Sequence, residues 1–189
     1  MAVSKPDAYV IWRRLDVPGH EAARLAPQDS EWHLSGTAVF ADAGRACSLE
    51  YLVVCDRDWR TRSGLVRGWL GDELIALEII AESGRWRLNG TETPAVDGCV
   101  DLDLNFSPST NLIPIRRLDL AVGAAARVRA AWLRFPDFVL EPLDQMYERT
   151  GIESYRYESS GGSFVRDLSV NAAGFVIDYP DLWQLESAR

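Results

Sequence analysis

The sequence predicts an all-β protein, built mainly from antiparallel strands and folded as a single domain over residues 1–189. Turn signals recur at short, fairly even intervals, which is typical of roughly ten or more consecutive short strands. Between these turns, apolar and polar side chains alternate with a period of two rather than 3.6 residues. A sheet with so many strands and so little helix must close, roll or fold over to hide its apolar side and its edges.

The first half of the chain contains one clear strand and one ambiguous segment. Residues 49–55 alternate, with Leu49, Tyr51 and Val53 on one face, and the apolar residues between them make the end of this strand apolar on both faces. The segment Gly19–Leu25 instead fits one or two turns of helix. We therefore expect most of this half to be strand, with at most a short helix near its start.

The middle of the chain carries two hairpin signals. Gly71-Asp72 and Asn89-Gly90 are residue pairs that tight hairpin turns with positive φ favour. Residues 74–80 alternate between these two turns, and residues 100–106 alternate after them. A meander of antiparallel strands follows from this order.

The last third combines an ambiguous segment with a further hairpin. Leu120–Ala131 is rich in Ala, but Gly123 and the β-branched residues weaken a helix, so we expect its latter half to be a strand. Residues 164–170 and 175–179 flank a four-residue loop, which indicates another hairpin.

Composition and charge exclude several function classes. Apolar residues make up 47% of the chain and charged residues 25%, which fits a folded globular protein rather than a disordered one. The formal net charge of −8 argues against a nucleic-acid partner, because phosphate binding needs a basic face. No stretch approaches the ~18 uninterrupted apolar residues of a transmembrane helix.

Cysteine usage and the N-terminus suggest a compartment. Cys47, Cys55 and Cys99 are odd in number and form no C-x-x-C motif, so we expect free buried thiols rather than disulfides or a zinc site. The first ten residues, which include the single lysine Lys5, contain no apolar signal-peptide core. We therefore expect a cytoplasmic protein.

Motifs for catalysis or cofactor binding are not found. His20-Glu21 begins like the zinc-protease pattern H-E-x-x-H, but Arg24 replaces the second histidine, and we interpret the match as coincidence within a surface turn. His33 lies in a strand pattern, where a solvated or hydrogen-bonded imidazole is expected. No G-x-S-x-G, P-loop or G-x-G-x-x-G sequence is present, so motifs give no support to an esterase, a nucleotide-binding or a dinucleotide-binding function. We expect no cofactor and no resident metal.

Two carboxylates in the strand pattern at 100–106 allow two interpretations. Asp101 and Asp103 share a face about 7 Å apart, a separation that suits a glycosidase pair or a hard metal ion. Alternation alone favours the simpler interpretation, the solvated face of a half-buried strand.

The segment that follows is polar and ends in two arginines. Residues 107–117 contain two prolines, Asn111 and the pair Arg116 and Arg117, and we expect a fixed loop whose Arg forks could bind sugar hydroxyls or a phosphate. Paired arginines on successive strand positions would point to opposite faces. An inward Arg would need a partner, and Asp101 or Asp103 would serve.

Aromatic residues occur along nearly every predicted strand, several of them beside arginines. The expected cavity-wall candidates are Trp69, Trp132, Tyr155 and Tyr157. Aromatics interleaved with Arg suit a cavity with apolar walls and a polar mouth, although each alone also fits an ordinary core.

Several stretches resemble a bacterial glycolipid-binding family, and the likeness extends from about Trp12 to Trp183. The most specific motifs are D-G-C-x-D-x-D-L at 97–104 and N-x-x-P-I-R-R at 111–117. The remaining stretches that carry the likeness are 12–14, 32–36, 58–61, 85–90 and 132–136.

The resemblance implies a spiral β-roll, in which many antiparallel strands curl around a core, similar to outer-membrane lipoprotein carriers and receptors. It also marks as family hallmarks the residues Asp101, Asp103, Asn111, Arg116 and Arg117.

The function that the resemblance and the aromatic pattern imply is non-enzymatic binding of an amphiphile, a glycolipid or similar acyl compound, in or on the rolled sheet. The acyl part would lie against Trp69 and Trp132, and the head group would meet Asn111, Arg116 and Arg117. Two alternatives remain open: a hydrolase of glycosides or lipid esters that uses Asp101 and Asp103, and a structural domain without a cavity. Free strand edges could also pair in a homodimer.

Overall fold

Strands dominate the structure, a computed structural model that describes residues 8–188. The described residues form one 15-stranded, mostly antiparallel sheet that is not closed into a barrel, and they contain a single short α-helix; 64% of residues are in strands. The predicted all-β class is therefore confirmed. The prediction about the N-terminus concerned residues 1–10, of which residues 1–7, including Lys5, lie outside the described part.

The first eight strands lie in the first half of the chain. They are β1 (Ala8–Arg14), β2 (Gly19–Gln28), β3 (Glu31–Asp42), β4 (Arg45–Asp56), β5 (Thr61–Leu70), β6 (Glu73–Glu82), β7 (Arg85–Leu88) and β8 (Thr91–Glu92). The other elements are β9 (Asp101–Leu104), α1 (Leu112–Leu118), β10 (Ala125–Arg134), β11 (Val139–Arg149), β12 (Ser154–Ser159), β13 (Phe164–Val170), β14 (Val176–Tyr179) and β15 (Trp183–Ala188). Short 3-10 turns occupy Pro94–Val96, Ser109–Asn111 and Ser160–Gly162.

The strands lie in the sheet as two runs of consecutive strands, one made of β1 to β8 and the other of β9 to β15. The order is β8-β7-β6-β5-β4-β3-β2-β1-β15-β14-β13-β12-β11-β10-β9, so the first and last strands pair in the middle. Neighbouring strands are antiparallel except β9 and β10, which are parallel. The edge strand β9 also contacts β5, which is far from it in the strand order: the backbone amide of Leu102 donates to Thr61 Oγ1 at 3.0 Å, and that of Thr61 to the Val100 carbonyl at 3.1 Å.

Alternation directs one face of each long strand into the core. In β4, Leu49, Tyr51 and Val53 are buried, as predicted, while the residues between them are partly or fully exposed. The register of β3, β4 and β5 aligns these residues with the inward side chains of neighbouring strands. The period-two pattern therefore predicted the inner face of this half correctly.

Residues 101–118 are the main departure from the sequence prediction. The expected polar loop is instead a buried segment, in which a 3-10 turn leads directly into α1. Arg116 and Arg117 thus lie in the last turn of a helix rather than on successive strand positions. The predicted solvated face of β9 is also wrong: Asp101 is buried and Asp103 is partly buried, because α1 and β11 cover that face.

For the other segments, some of the predictions are correct and one is wrong. Gly19–Leu25 belongs to β2 and forms no helix. The latter half of Leu120–Ala131 is a strand, as expected, within β10. Turns occur at both predicted glycine pairs and at 171–174, where the described chain reverses between neighbouring strands. No helix within residues 8–188 is long and apolar enough to cross a membrane.

Candidate functional site

A cavity of about 340 Å³, here called the aromatic cavity, lies between β1, β9 to β15 and the segment that follows β9. Its aromatic lining consists of Phe106, Trp132, Phe135, Tyr157, Phe164, Tyr179 and Trp183. Its polar lining includes Arg14, Asp103, Asn105, Ser107 and Asn111. The cavity therefore combines flat apolar faces with several hydrogen-bonding groups.

One polar side of the cavity is centred on Asp103. Gln145 Nε2 donates to Asp103 Oδ2 at 2.6 Å and also to the Tyr157 hydroxyl oxygen at 3.0 Å. Burial raises the pKa of Asp103 to about 6, and nearby Asp101 adds to the rise, while the bond from Gln145 opposes it. Asp103 can thus take up or release a proton near neutral pH.

Arg14 brings a positive charge to the same cavity. Its Nε and Nη2 atoms donate to the two carboxylate oxygens of Asp16 at 2.8 and 3.0 Å. The guanidinium lies over the Phe40 ring, 4.4 Å from its centroid, and 5.2 Å from the centroid of Trp183. The third nitrogen, Nη1, is buried and has no hydrogen-bond partner among the described residues.

Behind the cavity wall, a buried carboxyl group accepts hydrogen bonds from two hydroxyl groups, and a third hydroxyl group contacts those two. Glu21 Oε1 accepts a hydrogen bond from Ser107 Oγ at 2.5 Å and another from the Tyr51 hydroxyl at 2.6 Å, while Ser109 Oγ lies 2.7 Å from Ser107 Oγ. Glu21 Oε2 is buried without a partner among the described residues. Burial raises the pKa of Glu21 to about 7, against the opposing effects of Ser107, Tyr51 and Arg14.

A glycine on β3 leaves the space that this hydrogen-bond network needs. A Cβ atom at Gly36 would lie 2.3 Å from the Tyr51 hydroxyl oxygen, so only glycine allows Tyr51 to reach Glu21 past β3. Glu21 lies on β2 in the same inward-facing row as Ala23 and Leu25. A carboxyl group therefore lies in the core, and hydroxyl groups donate hydrogen bonds to one of its two oxygens.

Comparison with known proteins now gives the family. Residues 9–185 match the family model described as "Putative glycolipid-binding". The chain belongs to this family. A crystal structure of a DUF1089 family protein from Pseudomonas aeruginosa is similar, with 32% sequence identity and a TM-score of 0.75, covering 97% of this chain and 95% of that one. No curated protein matches the sequence.

The resemblance deduced from the motifs is confirmed, and the structure divides the family's hallmark residues between several places. The aromatic cavity contains four of the predicted site residues: Asp103, Asn111, Trp132 and Tyr157. Asn111 is also engaged in the fold, since its Oδ1 accepts from the Tyr147 hydroxyl at 2.9 Å and its Nδ2 donates to the Pro108 carbonyl at 3.2 Å.

Two further predicted residues, Arg116 and Tyr155, line a separate cavity of about 350 Å³ beside Trp59. The guanidinium carbon of Arg116 is 5.5 Å from the centroid of the Trp59 ring. The expected head-group set of Asn111, Arg116 and Arg117 is therefore not brought together, because helix α1 separates the three side chains.

The remaining predicted residues lie outside both cavities. Trp69 is 40% exposed on the outer face of β5, paired with Leu74 across the hairpin, so it cannot line the interior. Asp101 and Arg117 form a bidentate pair, the partnership that the sequence suggested for an inward arginine. Both oxygens of Asp101 are thereby occupied, and Asp101 does not converge with Asp103 on the aromatic cavity.

Several site residues were missed at the sequence level. Glu21 was assigned to a surface turn, although its alternation with Ala23 and Leu25 is an inward-facing strand pattern. Ser107 carried no recognisable motif, because its partners Glu21 and Tyr51 are distant in sequence. Arg14 belongs to the stretch 12–14 that carries the family likeness, but that likeness assigns it no role. Within residues 8–188, no group of three or more His, Cys, Asp or Glu side chains is placed to hold a metal ion.

Proposed function

We propose that this protein binds an amphiphile, a glycolipid or a similar acyl compound, with the head group in the aromatic cavity. The observation that carries the proposal is the lining, in which aromatic faces stand beside Arg14, Asp103 and Asn105. Aromatic rings pack against the apolar faces of a sugar, while carboxylate, amide and guanidinium groups bond its hydroxyls. Family membership supports the same class of ligand.

The dimensions of the cavity support a head group more than a whole lipid. Its volume of about 340 Å³ lies at the lower end of the ~300–1,000 Å³ typical of small-molecule sites. A long acyl chain would therefore extend past the mouth along aromatic side chains such as Phe135 and Phe164. In this proposal Trp132 forms part of the wall of the binding site, whereas Trp69 does not contact the ligand.

A reducing compartment is part of the proposal. Cys47, Cys55 and Cys99 are free and buried, which suits the cytoplasm, where thiols remain reduced. The net charge of −8 supports a neutral or amphiphilic partner over a nucleic acid.

Titration with a defined amphiphile tests the proposal. Tryptophan fluorescence would be followed while n-dodecyl β-maltoside is added below its critical micelle concentration, with free maltose as the comparison. We expect a saturable change with the alkyl maltoside and a weaker response to maltose. Native mass spectrometry of the purified protein would look for a co-purified lipid. Absence of both a bound lipid and a saturable response would overturn the proposal.

A further inference from the structure

The serine at the wall of the aromatic cavity is bonded to a buried carboxyl group. Ser107 lines the cavity, and its Oγ lies 2.5 Å from Glu21 Oε1, although the two residues are 86 positions apart. Glu21 is 1% exposed, so water does not compete for this contact. A hydroxyl group within hydrogen-bond reach of a carboxylate is the arrangement of a nucleophile and its general base.

Neighbouring groups fix the orientation of both partners. The Tyr51 hydroxyl donates to Glu21 Oε1 at 2.6 Å, on the same oxygen that Ser107 contacts. The backbone amide of Ser109 donates to Ser107 Oγ at 3.1 Å and so holds the serine rotamer. The base is therefore positioned by a third residue, as nucleophile-base pairs require.

The electrostatic surroundings favour proton transfer near neutral pH. With its pKa raised to about 7, Glu21 is a stronger base than an ordinary carboxylate and is still substantially ionised at pH 7 to 8. Arg14 lines the same cavity, and because its Nε and Nη2 atoms are bonded to Asp16, Nη1 is the group that a developing oxyanion would meet. Its Nη1 group makes no hydrogen bond within the described residues.

We propose that Ser107 and Glu21 form a nucleophile-base pair that hydrolyses a carboxylic ester of the amphiphile bound in the aromatic cavity. This activity rests on the proposed function, because the same cavity must hold the ligand. It differs from a mechanism through Asp101 and Asp103, since Asp101 is held by Arg117.

The reaction needs only water as a co-reactant. Ser107 Oγ attacks the ester carbonyl carbon while its proton passes to Glu21, and the resulting oxyanion lies near Arg14. The bond to the alcohol then breaks, and the leaving oxygen takes the proton from Glu21. Water next attacks the acyl-serine, giving a proton to Glu21, which returns it to Ser107 as the carboxylic acid departs.

A fluorophosphonate probe tests this pair directly, because the serine oxygen attacks phosphorus and displaces fluoride. The unmodified protein would be incubated with the probe at pH 8, and the adduct located by peptide mass spectrometry. We expect an adduct on Ser107, at a rate that rises with an apparent pKa near 7. No adduct on the folded protein, or an adduct on another residue, overturns the proposal.

Variants separate the roles of the two residues. Ser107→Ala should abolish labelling, and Glu21→Gln should slow it by about 100-fold and remove its pH dependence. Ser48→Ala, on the outer face of β4 opposite Trp69, is the matched control and should label at the normal rate. Locating the adduct in the unmodified chain keeps the test valid if either core variant fails to fold.

Binding of n-dodecyl β-maltoside, which has no ester, would be measured on the same preparation. Saturable binding without labelling would overturn the ester hydrolysis alone. Failure to bind, together with the absence of a co-purified lipid, would instead overturn the proposed function, whatever the probe shows.

Discussion

Arg117 donates two hydrogen bonds to Asp101, from Nε to Oδ1 at 2.8 Å and from Nη2 to Oδ2 at 2.6 Å. Asp101 belongs to the edge strand β9, and Arg117 belongs to α1, so the pair fixes the helix against the strand that leads into it. Burial raises the pKa of Asp101, and the two bonds from Arg117 oppose that rise. Two family hallmarks therefore brace the interior of the protein.

Breaking this pair should destabilise the protein. Arg117→Met leaves the Asp101 carboxylate buried without its partner, and we expect the free energy of unfolding to fall by about 3 kcal/mol. The double variant Asp101→Asn/Arg117→Met should lose less, because no buried charge remains unpaired. Urea denaturation of the three proteins measures both differences. Equal stability of Arg117→Met and the unmodified protein would contradict a bracing role.

Two tryptophans provide a matched test of the proposed ligand site. Trp132→Ala removes an aromatic wall of the cavity, and we expect the affinity for n-dodecyl β-maltoside to fall by roughly 10-fold or more. Trp69→Ala changes only the outer face, so its affinity should stay within about 2-fold. Isothermal titration calorimetry of both variants decides the question. A larger loss in the Trp69 variant would move the site to the outer surface.

Stability should depend on pH through Glu21. Its folded-state pKa of about 7 exceeds the ordinary value of 4.5, so the folded state retains this proton while the unfolded state releases it. The contribution of Glu21 to stability is therefore greatest below pH 4.5 and falls as the pH rises towards 7, by roughly 3 kcal/mol in total.

The comparison with Glu21→Gln isolates that contribution. Urea denaturation at pH 5 and pH 8 should show the unmodified protein losing stability relative to the variant at the higher pH. Asp103, with its pKa raised to about 6, makes the same pH-dependent contribution to stability in both proteins, so it cancels in the difference between them. A difference between the two proteins that does not change with pH would contradict the buried, proton-retaining state of Glu21.

Local patterns predicted the long strands well because one face of these strands is buried and the other is more exposed. The alternation of Leu49, Tyr51 and Val53 is a property of neighbouring residues, so it is visible in the sequence. The same reasoning failed for β9, because the Asp face of that strand is covered by α1, which follows it in the chain, and by the distant strand β11. Asp101 and Asp103 looked solvated for this reason.

The site was predictable only in part. Trp132 and Tyr157 belong to strands whose aromatic residues point inward, and the sequence identified them as wall candidates. Ser107 and Glu21 meet across 86 positions, and no local pattern encodes that contact. The division of Asn111 and Arg116 between two cavities likewise depends on the helix at 112–118. Pro108, Pro114 and the polar residues before the helix are typical of a loop, so the sequence did not indicate a helix here.

The three cysteines should resist alkylation in the folded protein. Cys47, Cys55 and Cys99 are at most 5% exposed, and burial raises the pKa of Cys55 to about 12 and that of the other two to about 11. Since the thiolate is the reacting species, iodoacetamide at pH 8 should leave the native chain unmodified and add three groups after denaturation. Intact-mass spectrometry counts the additions. Rapid modification of the native chain would contradict the buried positions, and fewer than three additions after denaturation would show that a disulfide had formed.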